Sequence, residues 1–359
     1  MDPAFALLSL DISRHVGRIP TAELRFNDGS AARRNFAISD SDFFQPGKAI
    51  EIKLRREGGK DHTVFKGLAV RQEVDATGDE STLTVGLKDA ALRLTGPRRS
   101  AVFREQSDDQ IVGAILQAAG LEQGTLTATR PKHPEIVQYH CSDWDFILSR
   151  ADVCGRVVVA EDGKISLREP DLSGSPKASF EWGIEEIFEL EMEADASRQY
   201  HAMESLAWDL KMHKTTAPSK AKPVNLGQGN LDGAGVAKAL GFDTYTLSHP
   251  VPAHPEELQA WADARMARLR MAMLRGRVTV SGLAELKPLD PIEILGIGAR
   301  FNGKTLVTGI RHRVESGRWL SEVRFGLSPE GHCRQEQILA PVAAGLLPGV
   351  RGLQIGVVS

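Results

Sequence analysis

The sequence predicts an α+β chain that is mainly β, organised around two similar antiparallel β modules. The first observation behind this is the stretch 275–327. It holds β-like runs at 277–280, 291–296, 305–314 and 319–325, each rich in Val, Ile or Thr and bounded by Gly, Pro or Asn. Asn302-Gly303 is the strongest hairpin signal, because a tight turn needs positive φ at its centre, and 315–318 around Gly317 is a second connection of hairpin length. The second observation is a repeat. Pro46, Ile50, Glu51 and Ile52 match Pro288, Ile292, Glu293 and Ile294 at an offset of 242 residues. Gly67-Leu68 falls on Gly309-Ile310 at the same offset, and Val85-Gly86-Leu87 falls on Phe325-Gly326-Leu327 at 240. Indels in turns with strand spacings kept are what duplicated β modules show. Chance recurrence among generic strands is the alternative, and one register across these anchors favours duplication. Third, helical periodicity is confined to the segments between the two stretches.

In chain order, residues 1–95 read as the first module, a small barrel or sandwich. Its strands fall at 7–12, 22–26, 49–54, 63–74 and 81–87, with turns at Asn27-Asp28-Gly29 and 57–60 and a longer excursion at 35–45. Residues 96–175 form an α+β insertion. Ser107-Asp108-Asp109-Gln110 is a capping box that opens a helix with Ile111, Ile115, Leu116 and Ala119 on one face and Gly120 as its stop. Ser142 opens a second helix, 143–153, whose stripe is Trp144, Ile147, Leu148 and Ala151 and whose stop is Gly155. Glu161-Asp162-Gly163-Lys164 then turns a hairpin. Residues 176–211 with 275–330 make the second β-barrel. Between them, 212–254 reads as a long loop, and 255–274 as the longest helix, with Pro255 and two Glu at its start, Arg residues toward its end and Gly276 as its stop.

Length and composition narrow the function classes. At 359 residues the chain holds two to four domains. A charged fraction of 25% and a net charge of -3 make no electrostatic case for nucleic acid or an anionic membrane as partner. Cys141, Cys154 and Cys333 have no metal-ligand spacing and form no disulfide framework. The N-terminal residues MDPAFALLSLDIS lack a basic segment ahead of a long apolar core, and no apolar run is long enough to span a bilayer. The expectation is a chain made in the cytoplasm that leaves it without a signal peptide of its own and inserts in no membrane.

No catalytic, cofactor or metal constellation emerges. His249 and His254 sit among prolines rather than on one helix face, and the sequence has no GxxxxGK[ST] or GxSxG. Asp143 and Asp145 lie in a first helical turn, where acids are expected for capping alone. The acidic run 185–193 reads as a solvated strand face. The chain is expected to be no enzyme and to hold no cofactor.

Gln138-Tyr139, followed by Ser142-Asp143-Trp144-Asp145-Phe146-Ile147-Leu148 and then Gly155, resembles the QY-x-x-SDWDFL segment of VgrG proteins, the spike and hub proteins of type VI secretion and related contractile injection systems. Strands around Ile292-Glu293-Ile294, Phe301-Asn302-Gly303 and Val307-Thr308-Gly309 are similar to that family's second barrel. The terminal segment with Gly352, Leu353, Ile355 and Gly356 resembles the strand that leads into the family's OB-fold neck, so 331–359 is expected to be a linker towards an OB-fold and spike. His140-Cys141 departs from the charged or polar pair often found there. The resemblance implies two tube-type β-barrels per chain and a structural homotrimer that adapts a six-fold, Hcp-like inner tube to a three-fold puncturing spike. Implied partners are baseplate proteins and a spike tip or effector cargo, within an injection particle. Two other readings stay open. One is a phage tail hub of the late-control type with its spike on a separate chain; the other is a β-rich hydrolase.

Overall fold

Apolar–polar alternation builds the first strands. In the computed structural model, which describes residues 5–29, 35–77, 80–250 and 252–332, strand β1 (Leu7–His15) buries Leu10, Ile12 and Arg14, and β2 (Thr21–Asn27) buries Ala22, Leu24 and Phe26. Period-two burial of this kind is what a sheet with one face on a core requires. With β3 (Ala49–Leu54), β4 (His62–Ala76) and β5 (Ser81–Lys88) they form an antiparallel run in the order β1-β2-β5-β4-β3. Val64, Phe65, Leu83, Val85 and Leu87 complete the core. The 35–45 excursion covers it, with Phe44 packed on Phe26 at a ring distance of 5.2 Å. Buried Asp28 anchors that excursion by accepting from the Ile38 and Ser39 N–H groups at 3.0 and 2.9 Å.

The first insertion comprises β6 (Arg98–Gln106), α1 (Asp108–Ala118), β7 (Glu122–Leu126), β8 (His133–Ser142), α2 (Asp143–Val153), β9 (Val157–Glu161) and β10 (Lys164–Arg168). Both predicted helices are present. The Gln110 side chain accepts from the Ser107 N–H at 3.1 Å, and Gly120 and Gly155 end the helices at positive φ. Asp162 and Gly163 turn the β9–β10 hairpin with φ of 53° and 83°. That hairpin docks on the first module, where Asp162 accepts from the Lys66 N–H at 2.9 Å.

The second module and its insertion follow. β11 (Ala178–Glu181) and β12 (Ile187–Ala194) precede β13 (Ala202–Asp209), β14 (Lys214–Thr215), β15 (Ser219–Lys220), α3 (Gly233–Ala239), β16 (Thr244–His249) and α4 (Pro255–Met271). Then come β17 (Leu274–Ser281), β18 (Pro291–Leu295), β19 (Gly303–Glu315) and β20 (Arg318–Phe325). Strands β12-β17-β20-β19-β18 repeat the order of the first module, all antiparallel. Their core holds Val278, Ile292, Ile294, Val307, Ile310, Val323 and Phe325.

The structure differs from the sequence expectations at several places. The two modules do not form separate closed barrels among the described residues. β1 pairs with β19, so both modules lie in one 11-stranded sheet. Residues 202–211 are not in that sheet. β13 instead pairs with β14, β15 and β16, and its buried Met203 and Ala207 pack with Leu258, Trp261 and Leu269 of α4. The segment 212–254 is no plain loop, because it contributes α3 and the parallel strand β16. Helix α4 ends at Met271, and Gly276 stops nothing. It lies inside β17, where a side chain would run into the Glu191 carbonyl and the Phe325 ring. Asn302-Gly303 is not a two-residue turn either. The connection spans 296–302, with the Asn302 side chain accepting from the Ile297 N–H at 3.0 Å. The tight turn is Ser316-Gly317, with φ of 51° and 74°.

The ladders sharpen the repeat and shift part of its register. Ile50 pairs Gly67, Glu51 pairs Lys66 and Ile52 pairs Phe65; Ile292 pairs Thr305, Glu293 pairs Lys304 and Ile294 pairs Gly303. Strands β3 and β18 therefore correspond at the predicted offset of 242. The next strand does not. A bulge falls between Ala69 and Arg71 in β4 and between Val307 and Gly309 in β19, with Leu87 and Phe325 as the partners beside it. Ala69 thus corresponds to Val307 and Leu87 to Phe325, both 238 residues apart. Gly67 matches Thr305 rather than Gly309, and Gly86 matches Arg324 rather than Gly326. Four residues are missing from the hairpin between the strands, a change at the turn that leaves the pairings of Ala49 to Ile52 matched by those of Pro291 to Ile294.

Candidate assembly surface

One seam joins the modules. β1 runs antiparallel to the second half of β19, with Asp11 opposite Arg313, Ile12 opposite His312, Ser13 opposite Arg311 and His15 opposite Gly309. On the core face, Ile12 and His312 are both fully buried. The His312 Nδ1 lies 2.8 Å from the Ser321 hydroxyl, and burial, then the nearby Arg14 charge, push its pKa down to about 4. On the opposite face Arg311 forks onto the Asp11 carboxylate, with Nε at 2.8 and 2.9 Å and Nη2 closer still. Gly309 is required at this point, because a side chain there would collide with the His15 ring. Burial and then Arg324 lower the His15 pKa to about 4 as well. Asp11, Ser13, His15, Arg71, Arg311 and Arg324 line one polar hollow over the seam.

Acidic residues dominate the outer strand β12, and each has a cross-strand partner. Arg277 holds Glu189 and Glu191 at 2.9 and 2.8 Å, and Arg275 holds Glu193 and Asp195 at 2.7 and 3.3 Å. The alternation of Glu in β12 against Arg in β17 is a ladder of opposite charges. The acids are evident in the sequence but their partners are not, because they lie eighty or more residues away.

Four strand edges in this sheet carry no strand partner among the described residues: the outer edges of β3 and β11, and two that matter for the repeat. β12 pairs only with β17, and residues 71–76 of β4 pair only with β5. The counterpart of 71–76 is 309–314, the half of β19 that β1 covers. Val74 corresponds to His312; it is 47% exposed, whereas His312 is fully buried.

The motif residues serve the first insertion rather than this surface. Trp144 and Phe146 are buried in its core, and Phe146 stacks on Phe103 at 5.7 Å. Ser142 caps α2 by accepting from the Asp145 N–H at 3.1 Å and donates to the Asp145 carboxylate at 2.6 Å. Buried Asp143 accepts from Gln138 at 2.8 Å, while Tyr139 is 62% exposed. Of the other anchors, Ile292 and Ile294 sit in the second core, Ile52 in the first with Ile50 packed against it, and Glu51 is an exposed partner of Lys53 and Lys66. A side chain at Gly67 would strike the Lys88 carbonyl, and one at Gly326, which follows β20 at a φ of 78°, the Leu274 carbonyl. Gly352, Leu353, Ile355, Gly356 and Cys333 lie outside the described residues.

A buried charge cluster ties the insertions together. Arg150 of α2 donates to Asp108 at 2.6 Å and to Glu257 of α4 at 2.9 Å, and His133 lies 3.3 Å from Asp108. Burial raises the Asp108 pKa, but Arg150 and His133 outweigh it and hold the carboxyl down at about 2. Among the described residues no group of His, Cys, Asp and Glu has metal-binding geometry, and no helix is long and apolar enough to cross a membrane.

A family model described as the Alg8 N-terminal domain matches residues 1–316. Comparison with curated proteins finds no match. Among solved structures, a tail protein from Neisseria meningitidis superposes with a TM-score of 0.65 at 15% identity, over 91% of this chain and 94% of that one. An E. coli component of the type VI secretion system, described as structurally similar to T4 bacteriophage tail proteins, gives 0.59 at 14% identity over 95% and 79%. A structure of the Francisella PdpA–VgrG complex gives 0.55 at 8% identity, over 90% of this chain and 50% of that one. The mainly β fold is thus the one shared by phage tail proteins and VgrG-like proteins.

Proposed function

We propose that the chain, which belongs to the Alg8 N-terminal domain family, is a structural hub of a contractile tail or injection machine. In this reading it assembles as a homotrimer. Its two modules per chain then supply six quasi-equivalent positions, suited to a hexameric, Hcp-like inner tube at one end and a three-fold spike at the other. Baseplate proteins and a spike tip or effector cargo are its further partners, and the particle rather than a membrane is its place of work. No catalysis is assigned to it.

The matched ladders are the observation that carries this. Five strands recur in the same order, with the same pairings and the same bulge, at two places in one sheet. A chain with two equivalent modules offers a tube of hexamers the same contact twice, so three chains satisfy six contacts. The fold shared with tail and VgrG-like proteins agrees with it. Native mass measurement tests the reading. It expects a species of three chains, with single chains appearing only on extensive dilution. A chain that is monomeric at every concentration contradicts it.

A further inference from the structure

We infer that residues 71–76 of β4 pair antiparallel with β12 of a second copy, in the register that β1 and β19 use within the chain. This rests on the trimeric reading and specifies its contact. Within the chain, the second half of β19 is covered by β1, the first strand of the other module. The ladders make residues 71–76 the counterpart of 309–314, and make β12 the counterpart of β1. Leu10 and Leu190 both lie opposite the matched positions Leu24 and Val278 of the next strand, and Asp11 and Glu191 opposite Glu23 and Arg277. Each chain therefore contains one seam already made and the two unmatched halves of another with the same backbone register. β12 ends the strand order on one side, and on the other β4 lies next to last with residues 71–76 running past the β3 pairing, so the two do not meet within the chain and the partner is another copy.

Carried over residue by residue, the seam sets Val74 opposite Met192, as Ile12 lies opposite His312. Val74, exposed at 47%, would then be covered as its counterpart is. Backbone groups on both open edges gain partners, which an exposed edge strand otherwise leaves to chance pairing. The polar face differs from the internal seam. Arg71 meets Asp195, whereas Glu191 meets Asp75 and Glu193 meets Glu73. Arg275 and Arg277 already neutralise the β12 acids, so the apolar face and the backbone carry the contact.

Two measurements on the full chain test this. In a Cys333→Ser background, Val74→Cys with Met192→Cys should oxidise to a covalent trimer. It should do so at least roughly ten-fold faster than Val74→Cys with Leu190→Cys, because a disulfide needs Cα atoms within about 7 Å. Amide exchange on the unsubstituted chain should show residues 71–76 and 187–194 slowed in the trimer relative to the diluted chain. A trimer by mass whose two cysteine pairs react alike, and whose amides in both strands exchange as in the diluted chain, overturns the pairing and leaves the trimeric reading standing. A chain that never trimerises overturns both.

Discussion

The two modules share a ladder but not its surroundings, and the contrast is instructive. In the second, β19 has both halves covered, by β18 on one stretch and β1 on the other, and β11 adds a parallel strand to the outer edge of β18. In the first, β4 has only its β3 half covered. Matched positions consequently hold different residues. Where β1 packs close, the chain has Gly309, with no side chain to meet His15; at the open counterpart it has Arg71, held by Glu23 and Glu73. Where the core face is sealed it has His312 bonded to Ser321; at the open counterpart it has Val74. One strand pairing, present or absent, decides what each position tolerates.

Substitutions at matched positions break the comparison in a graded way. Ile12→Ala should cost about 4 kcal/mol of unfolding free energy, because Ile12 is fully buried in the internal seam. Its counterpart Met192 is only half-buried in a single chain, and Met192→Ala should cost about 1 kcal/mol in the diluted protein. Denaturant titration of both variants checks the pair. Gly309→Val should cost about 3 kcal/mol by driving a side chain into His15, whereas Arg71→Val, on an exposed strand, should stay within about 0.5 kcal/mol of the parent.

Acid should act on one seam more than on the other. The folded-state pKa of His312 is depressed to about 4 from an ordinary 6.5, so the unfolded chain binds the proton more readily between those values. Its stabilising share is full above pH 6.5 and falls as pH drops toward 4, a loss of about 2 kcal/mol by pH 5. Melting of the parent and of His312→Leu at pH 7 and pH 5 should show that loss reduced in the variant. The smallest effect belongs to Asp11→Asn. It weakens a part-exposed ion pair with Arg311, so about 0.5–1 kcal/mol is expected, shrinking as salt is added.

Much of this architecture was legible in the sequence, for identifiable reasons. The two helices of the first insertion follow from local signals, the Ser107 and Ser142 caps and the stops at Gly120 and Gly155. The Ile50-Glu51-Ile52 repeat was legible because its strand carries no indel. The register beyond it was not: Gly67 and Gly309 are identical residues in positions that do not correspond, and only the ladder bulges expose the four-residue difference. The place of β13 is not legible, because its alternating pattern, which buries Met203, Ser205 and Ala207, suits any half-buried strand. Its neighbour is decided by α4, some fifty residues further on. The β1–β19 seam joins residues three hundred apart, beyond any local signal. The candidate surface was hidden for the same reason, since an open edge is visible only once its covered counterpart is known.

The symmetry of the assembly decides whether the two modules are equivalent. Averaged images of the assembled protein, viewed down its axis, should show a three-fold ring with six modules at one radius. Images of rings with three modules, or of single chains with no ring at all, would contradict the equivalence of the two modules on which the account rests.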